Sequence, residues 1–246
     1  MRGGGAAARR GVTLIELLIS ISLLSLLSVG LLMTLRVGLN AMDKANAKLM
    51  ANRRVASVER IMRSEIQDLM PVVVVCVPEG EQPPETLMYF GGQPQSLRFV
   101  SSYSLQEASR GLPRILDFEV IPGDQGQGVR LVVNELVYSP QQAGATCIGS
   151  VNDPERGVSM AVFRPIAVGP ASFVLADKLA YCRFSYRDFE PPPVGDRWLP
   201  EWPLGKWPTA VRIDMAPLDP DPARLPLMSI TVPVRVTRKP YEPYAQ

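Results

Sequence analysis

Histidine does not occur in this chain of 246 residues. Its absence excludes Ser-His-Asp and Cys-His catalytic sets and every zinc site that needs an imidazole. Cysteine is scarce: Cys76, Cys147 and Cys182 are the whole complement, with no Cys-x-x-Cys spacing to suggest a zinc or thioredoxin-like site. No Gly-x-Ser-x-Gly or Ser-x-x-Lys motif appears, and the acids are dispersed along the chain. An enzyme would need an acid, base or nucleophile set converging in a cleft, and nothing in the sequence marks one. No catalytic residue, cofactor or metal is therefore expected. Excess charge of one sign is also missing from the body. Arg2, Arg9 and Arg10 give the first 11 residues a charge of +3, leaving 23 basic and 24 acidic residues for the remainder. That balance leaves no electrostatic footprint for nucleic acid.

Formal charge is missing altogether from Leu17 to Leu35, a run of 19 residues. At about 1.5 Å of rise per residue, such a run nearly spans a hydrocarbon core of roughly 30 Å, and it reads as a transmembrane helix. It is longer than the roughly 7–15 apolar residues of a secretory signal peptide. The basic leader before it places the N-terminus in the cytoplasm by the positive-inside rule and sends the body across the membrane. Between Leu39 and Met70 there is neither proline nor glycine. Val55, Val58, Met62, Ile66 and Leu69 recur there at three- and four-residue steps, so the helix is predicted to continue on one apolar face until Pro71. From Val12 to Leu69 it would measure about 87 Å, with Gly30 and Gly38 as soft points. Arg53 and Arg54 read as part of a solvated face.

After Pro71 the periodicity changes to that of strands. Segments 72–77, 87–90, 97–101, 115–120, 129–138, 158–164, 179–187, 209–215 and 227–237 are predicted strands, separated by glycine- and proline-rich turns. Asp124, Gly126 and Gly128 mark a hairpin turn, since no helix follows to make a phosphate loop and the calcium-loop spacing is absent. Ala180, Cys182, Phe184 and Tyr186 share one face of a half-buried strand. Pro233 assigns the last strand to a sheet edge. Trp198, Trp202 and Trp207 follow a proline-rich segment. They read as loop-packing anchors in preference to a stacking site, because few basic residues interleave with them. Cys76 and Cys147 both lie near turn-forming residues, whereas Cys182 sits inside a strand pattern. A Cys76–Cys147 disulfide with Cys182 unpaired is expected if the body lies outside the membrane. The fold class is α+β: a long N-terminal helix on an antiparallel sheet.

One carboxylate stands just inside the apolar run. Glu16, in Gly11-Val12-Thr13-Leu14-Ile15-Glu16-Leu17-Leu18, would cost about 2.5–3.5 kcal/mol or more if ionised within lipid. It is either an acid favoured by the positive end of the helix dipole or a functional group. The motif resembles the processing and assembly signal of type IV pilins and type II secretion pseudopilins. The resemblance implies a prepilin peptidase that cuts after Gly11 and methylates Val12, and an assembly role for Glu16. Valine stands where the family most often has phenylalanine. Further along, Arg183-Phe184-Ser185-Tyr186, the tryptophan loop and Trp207-Pro208-Thr209-Ala210-Val211-Arg212-Ile213 are similar to the corresponding run of J-type minor pseudopilins. That resemblance implies residues 1–11 as a cleaved leader, 12–37 as a transmembrane helix, 38–70 as its periplasmic continuation and 71–246 as a β-rich globular domain. It further implies a single-pass inner-membrane protein with a periplasmic domain. The implied role is structural, in the tip complex of a secretion pseudopilus. Its implied partners are the minor I, K and H types, the major subunit, the prepilin peptidase and inner-membrane lipid, with no nucleic acid. A minor pilin of a type IV pilus or a DNA-uptake pseudopilus is the alternative, and a membrane-tethered periplasmic enzyme is a remoter one.

Overall fold

A computed structural model describes residues 12–77, 83–105, 107, 109–153, 158–165, 167–169, 172–191, 195–219 and 228–236. The chain divides into two compact units, Met1–Met50 and Ala51–Gln246. One helix, α1 (Leu14–Gln67), accounts for 54 residues and runs unbroken through Gly30 and Gly38. Its stretch Leu14–Asn46 has a mean hydropathy of 2.3 and is long and apolar enough to cross a membrane. Every described side chain of that stretch is exposed, as a lipid-facing surface requires. The hydroxyls in it bond inward to the helix. Ser20 donates to the Glu16 carbonyl at 2.8 Å, Ser28 to Leu24 at 2.8 Å and Thr34 to Leu31 at 2.8 Å, which removes lone donors from the lipid face.

In the second unit the last turns of α1 turn inward. Val58, Met62 and Ile66 are buried at four-residue steps, followed by Leu69, and they join the main core. The helix ends at Gln67, three residues short of the expected stop. Leu69 has left it to bridge Ser101, and the Met70 amide donates to the Val100 carbonyl at 2.8 Å. Capture of the backbone by a sheet strand therefore ends the helix before Pro71 can.

The strands are β1 (Val73–Cys76), β2 (Glu85–Met88), β3 (Gly91–Gly92), β4 (Ser96–Ser104), β5 (Ser109–Pro122) and β6 (Val129–Val137). A short helix, α2 (Pro140–Thr146), leads into β7 (Cys147–Asp153) and β8 (Val158–Phe163). Then come β9 (Phe173–Phe189), β10 (Asp196–Leu199), β11 (Ala210–Pro217) and β12 (Met228–Pro233). Among the described residues, eight strands form one antiparallel sheet in the order β12-β11-β9-β6-β5-β4-β3, with β10 pairing β9. The β1–β2 and β7–β8 ribbons are separate. The strand bearing Pro233 lies at the edge, where its missing N–H costs no ladder bond.

One face of the sheet packs on α1 through Leu97, Phe99, Leu116, Phe118, Phe184 and Ile213. A second core gathers Val74, Cys76, Leu87, Tyr89, Val100 and Ile115 against α2. Strand β4 feeds both cores, which explains its near-continuous burial. A disulfide joins Cys76 to Cys147 with Cα atoms 5.5 Å apart, tying β1 to the start of β7 in the second core. Cys182 is free and buried. Two tryptophans anchor their loop: Trp202 and Trp207 are buried, and the Trp202 indole donates to the Lys206 carbonyl at 2.6 Å. Trp198 sits on β10 with the Arg212 guanidinium 3.8 Å from its ring centroid.

Several elements differ from the predicted set. β3 and β10 are too short to show a period. α2 and β7 fill a span left as loop, although Ser139 caps α2 by accepting from the Gln142 amide at 3.0 Å and Pro140 opens it. β9 starts at Phe173, six residues early, because its first part pairs with β6 and its last part with β11 and β10.

Candidate assembly and processing site

The start of α1 is built by a local signature. Thr13 precedes the first helical residue and Glu16 stands three residues on, the spacing of a capping box. The Thr13 carbonyl accepts from the Glu16 amide at 3.1 Å and the Leu17 amide at 3.2 Å, and the Thr13 hydroxyl lies 3.4 Å from the Glu16 amide. A carboxylate here faces the positive end of the helix dipole, and a helix of this length provides that dipole in full. The signature was legible in the sequence as Thr-x-x-Glu ahead of an apolar run, although only its acid was singled out.

Of the residues predicted to matter here, Val12 precedes the helix and is strongly exposed, and Glu16 is exposed in its first turn. Gly11 lies outside the described residues. Among the described residues the Glu16 carboxylate makes no ion pair. It is an acceptor held at a fixed height on an apolar helix, open to a cation from outside the chain. Cys76 and Cys147, the remaining predicted pair, meet in the second unit.

Residues 7–32 match the family model of the prokaryotic N-terminal methylation motif. The match covers the end of the basic leader, Gly11, Val12, Glu16 and most of the apolar run. It supports a place for the chain among type IV pilin-like proteins, and the sheet unit lies outside it. No curated protein matches the chain.

The sheet unit holds charged groups that sequence reasoning did not single out. Arg98 and Asp117 face each other across β4 and β5, both buried, joined through the Arg98 Nε. Burial pushes the Asp117 carboxyl up, against the pull of Arg98. Asp188, on β9, is buried between Arg197 and Lys206 at 2.6 Å each. Burial alone would raise its carboxyl, but hydrogen bonds from Lys206 and Arg197 outweigh that and hold it below the ordinary range. Glu65, on α1, is fully buried, and neither carboxylate oxygen has a hydrogen-bond partner. Burial pushes its carboxyl up to about 8; the Ser101 hydroxyl close by opposes this, and the charges of Glu135 and Asp68 add to it. Arg98, Asp117 and Asp188 could not be recognised from composition, because their burial follows from strand register. Glu65, in contrast, lies between Met62 and Leu69 at the three- and four-residue steps of the buried helix face. No three His, Cys, Asp or Glu side chains among the described residues gather as a metal site.

Proposed function

We propose that this chain is a structural subunit of a type IV pilin-like filament, and within that class a J-type minor pseudopilin in the tip complex of a type II secretion system. The observation that carries the reading is Glu16 in the first turn of an unbroken helix, at the head of the charge-free run from Leu17 to Leu35 and five residues after a methylation-motif glycine. Cutting after Gly11 frees an α-amino group at Val12, four residues from the acid. The Val12 ammonium of one subunit can neutralise Glu16 of the next, so the acid need not be desolvated as a lone charge. Each subunit then offers one anion and one cation in a head-to-tail contact that does not close on itself, and such contacts generate a helical filament. The exposed apolar flank Leu14–Asn46 supplies the surface along which neighbouring helices bundle. The J type rests on the sequence resemblance of segments 183–186 and 207–213, within which Tyr186 on β9 and Val211 on β11 are paired.

The test is photocross-linking of the full chain in intact membranes, with the reactive residue at Leu24, which is 66% exposed. Adducts with other proteins that carry the same N-terminal motif are expected, and their identity separates a secretion pseudopilus from a type IV pilus. Adducts confined to lipid or to unrelated proteins would overturn the reading. The Glu16→Ala chain is expected to lose its leader normally yet give at least fivefold fewer adducts, whereas Gly11→Ala is expected to keep its leader.

A further inference from the structure

Under the last turns of α1, one end of the main core is polar. Glu65 shares the inner face of the helix with Met62 and Ile66 and is fully buried, and among the described residues neither of its carboxylate oxygens has a hydrogen-bond partner. The elements around it present the following groups. β4 brings the Ser101 hydroxyl, which accepts from the Tyr103 amide at 3.1 Å. β6 brings Glu135, whose buried carboxylate accepts from the Ser104 hydroxyl at 2.6 Å and the Leu105 amide at 2.9 Å. β5 brings Arg114, with Nε 3.4 Å from Glu135 and Nη2 donating to Glu107 at 2.8 Å. Asp68, just past the helix, pairs with Arg110 of β5 at 2.7 Å. On α1 itself, Arg63 and Glu59 pair with each other on the exposed side at 2.9 Å.

We propose that Glu65 is a proton-dependent latch: with a proton on its carboxyl the last turns of α1 close on the sheet, and loss of that proton loosens them while the sheet stays folded. Charge balance gives the reason. Arg114 is already matched by Glu135 and Glu107, and Arg110 by Asp68, so an ionised Glu65 is an unmatched negative charge held out of water beside a second buried carboxylate. As a neutral acid it lacks only hydrogen bonds. Burial above all, with the Glu135 and Asp68 charges adding to it and Ser101 opposing, pushes the carboxyl up to about 8. An opened helix end returns it to water and to its ordinary value of 4.5. Between those values opening releases a proton, so it becomes easier by about tenfold for each unit that the pH rises. The helix end is also the part best able to open alone. Up to Gln67 the described contacts of α1 with the sheet are made by the side chains of Val58, Met62 and Ile66, and its backbone bonds stay within the helix. β11, in contrast, is laddered to β9 on one side and β12 on the other. A segment held by side-chain packing alone opens at lower cost than a strand in the middle of a ladder.

Two methionines of the main core separate the helix end from the sheet. Met62 lies on α1 three residues before Glu65, Met215 lies on β11, and both are buried. The experiment treats the full chain in detergent micelles with dilute hydrogen peroxide at pH 5.5 and at pH 7.5. Peptide mass spectrometry follows sulfoxide formation at each methionine, with the exposed Met50 as the reference rate. Relative to Met50, Met62 is expected to oxidise roughly thirtyfold faster or more at pH 7.5 than at pH 5.5, and faster than Met215 at both. In the Glu65→Gln chain, which keeps the shape and cannot ionise, the Met62 rate is expected to be the same at both pH values. Equal Met62 and Met215 rates in the parent would overturn the latch, because α1 would then leave the sheet only when the whole unit unfolds. A Met62 rate that does not rise with pH in the parent, or rises equally in Glu65→Gln, would also overturn it. The comparison of Met62 with Met215 is made in the parent chain, so it decides the matter even where the variant fails to fold.

Discussion

Glu65 is fully buried on the inner face of α1, without a partner for either oxygen, and it is held protonated near neutral pH. Its carboxyl is raised from 4.5 to about 8, so between those values the unfolded chain releases a proton that the folded chain keeps. Folding then takes up a proton, and stability falls as pH rises through that window and levels off above it. Near pH 7 the loss relative to acid conditions is about 3 kcal/mol. Glu65→Gln keeps the shape and abolishes the ionisation. Stabilities from urea unfolding should be higher for the variant than for the parent near pH 7.5, by about 4 kcal/mol, and converge near pH 4.5. Parallel pH profiles would show that Glu65 ionises freely in the folded state. The cysteines give a second reading at this scale. Burial, with a smaller push from Asp214, raises the Cys182 thiol to about 12, and a thiol rather than a thiolate is a poor nucleophile. With Cys76 and Cys147 bonded, alkylation without reductant should modify no cysteine in the native protein and one after denaturation. Three modified cysteines in denaturant alone would refute the pairing.

Within the strands and turns, the β5–β6 connection shows how backbone conformation constrains sequence. Gly126 and Gly128 both have positive φ, 72° and 64°. A Cβ on Gly126 would meet nothing within 4 Å, whereas one on Gly128 would meet the Leu179 carbonyl oxygen at 2.4 Å. Gly126→Ala should therefore cost about 1 kcal/mol, the ordinary left-handed strain, and Gly128→Ala about 3 kcal/mol or more, because a β9 carbonyl must move. Equal shifts in thermal midpoint for the two would show that the β6–β9 approach is looser than described. The turn itself was legible in the glycines, but the difference between them was not, because Leu179 is brought there by pairing 50 residues away. The same division runs through the other elements. α1 and the alternating part of β9 announce themselves by period, since one side of each is buried. β4 is buried on both faces and β10 is four residues long, so neither carries a clear period. Arg98 and Asp117 would read as solvent-facing positions in their strands. Only the β4–β5 register, with the β7–β8 ribbon beside it, turns them into a buried pair.

At the scale of the whole chain, the two units differ in how much of their role a sequence can display. The proposed assembly site is legible because it is contiguous: Gly11, Val12, Thr13 and Glu16 lie within six positions of the sequence. The cleft of about 430 Å³ bordered by β3, β4, β5, the β7–β8 ribbon and the 201–203 loop is not, because no local pattern links those segments. The boundary between the units also leads to an expectation about truncation. The sheet unit begins at Ala51, ahead of Val58, Met62 and Ile66, which are buried in its core. A chain starting at Ala51 keeps those three side chains and loses the membrane-crossing stretch, so it should be soluble without detergent and melt cooperatively. A chain starting at Asp68 loses all three. At about 1.5–3 kcal/mol for each buried side chain, the deficit is roughly 6 kcal/mol, comparable with the 5–15 kcal/mol that holds an ordinary domain together. It also uncovers Leu97, Phe99 and Phe118 on the sheet. The shorter chain should therefore aggregate or lose its cooperative transition, as read by thermal melts followed by circular dichroism and by size-exclusion chromatography. Equal stability of the two truncated chains would show that the last turns of α1 merely rest on the sheet, and that α1 could detach from it when a filament assembles.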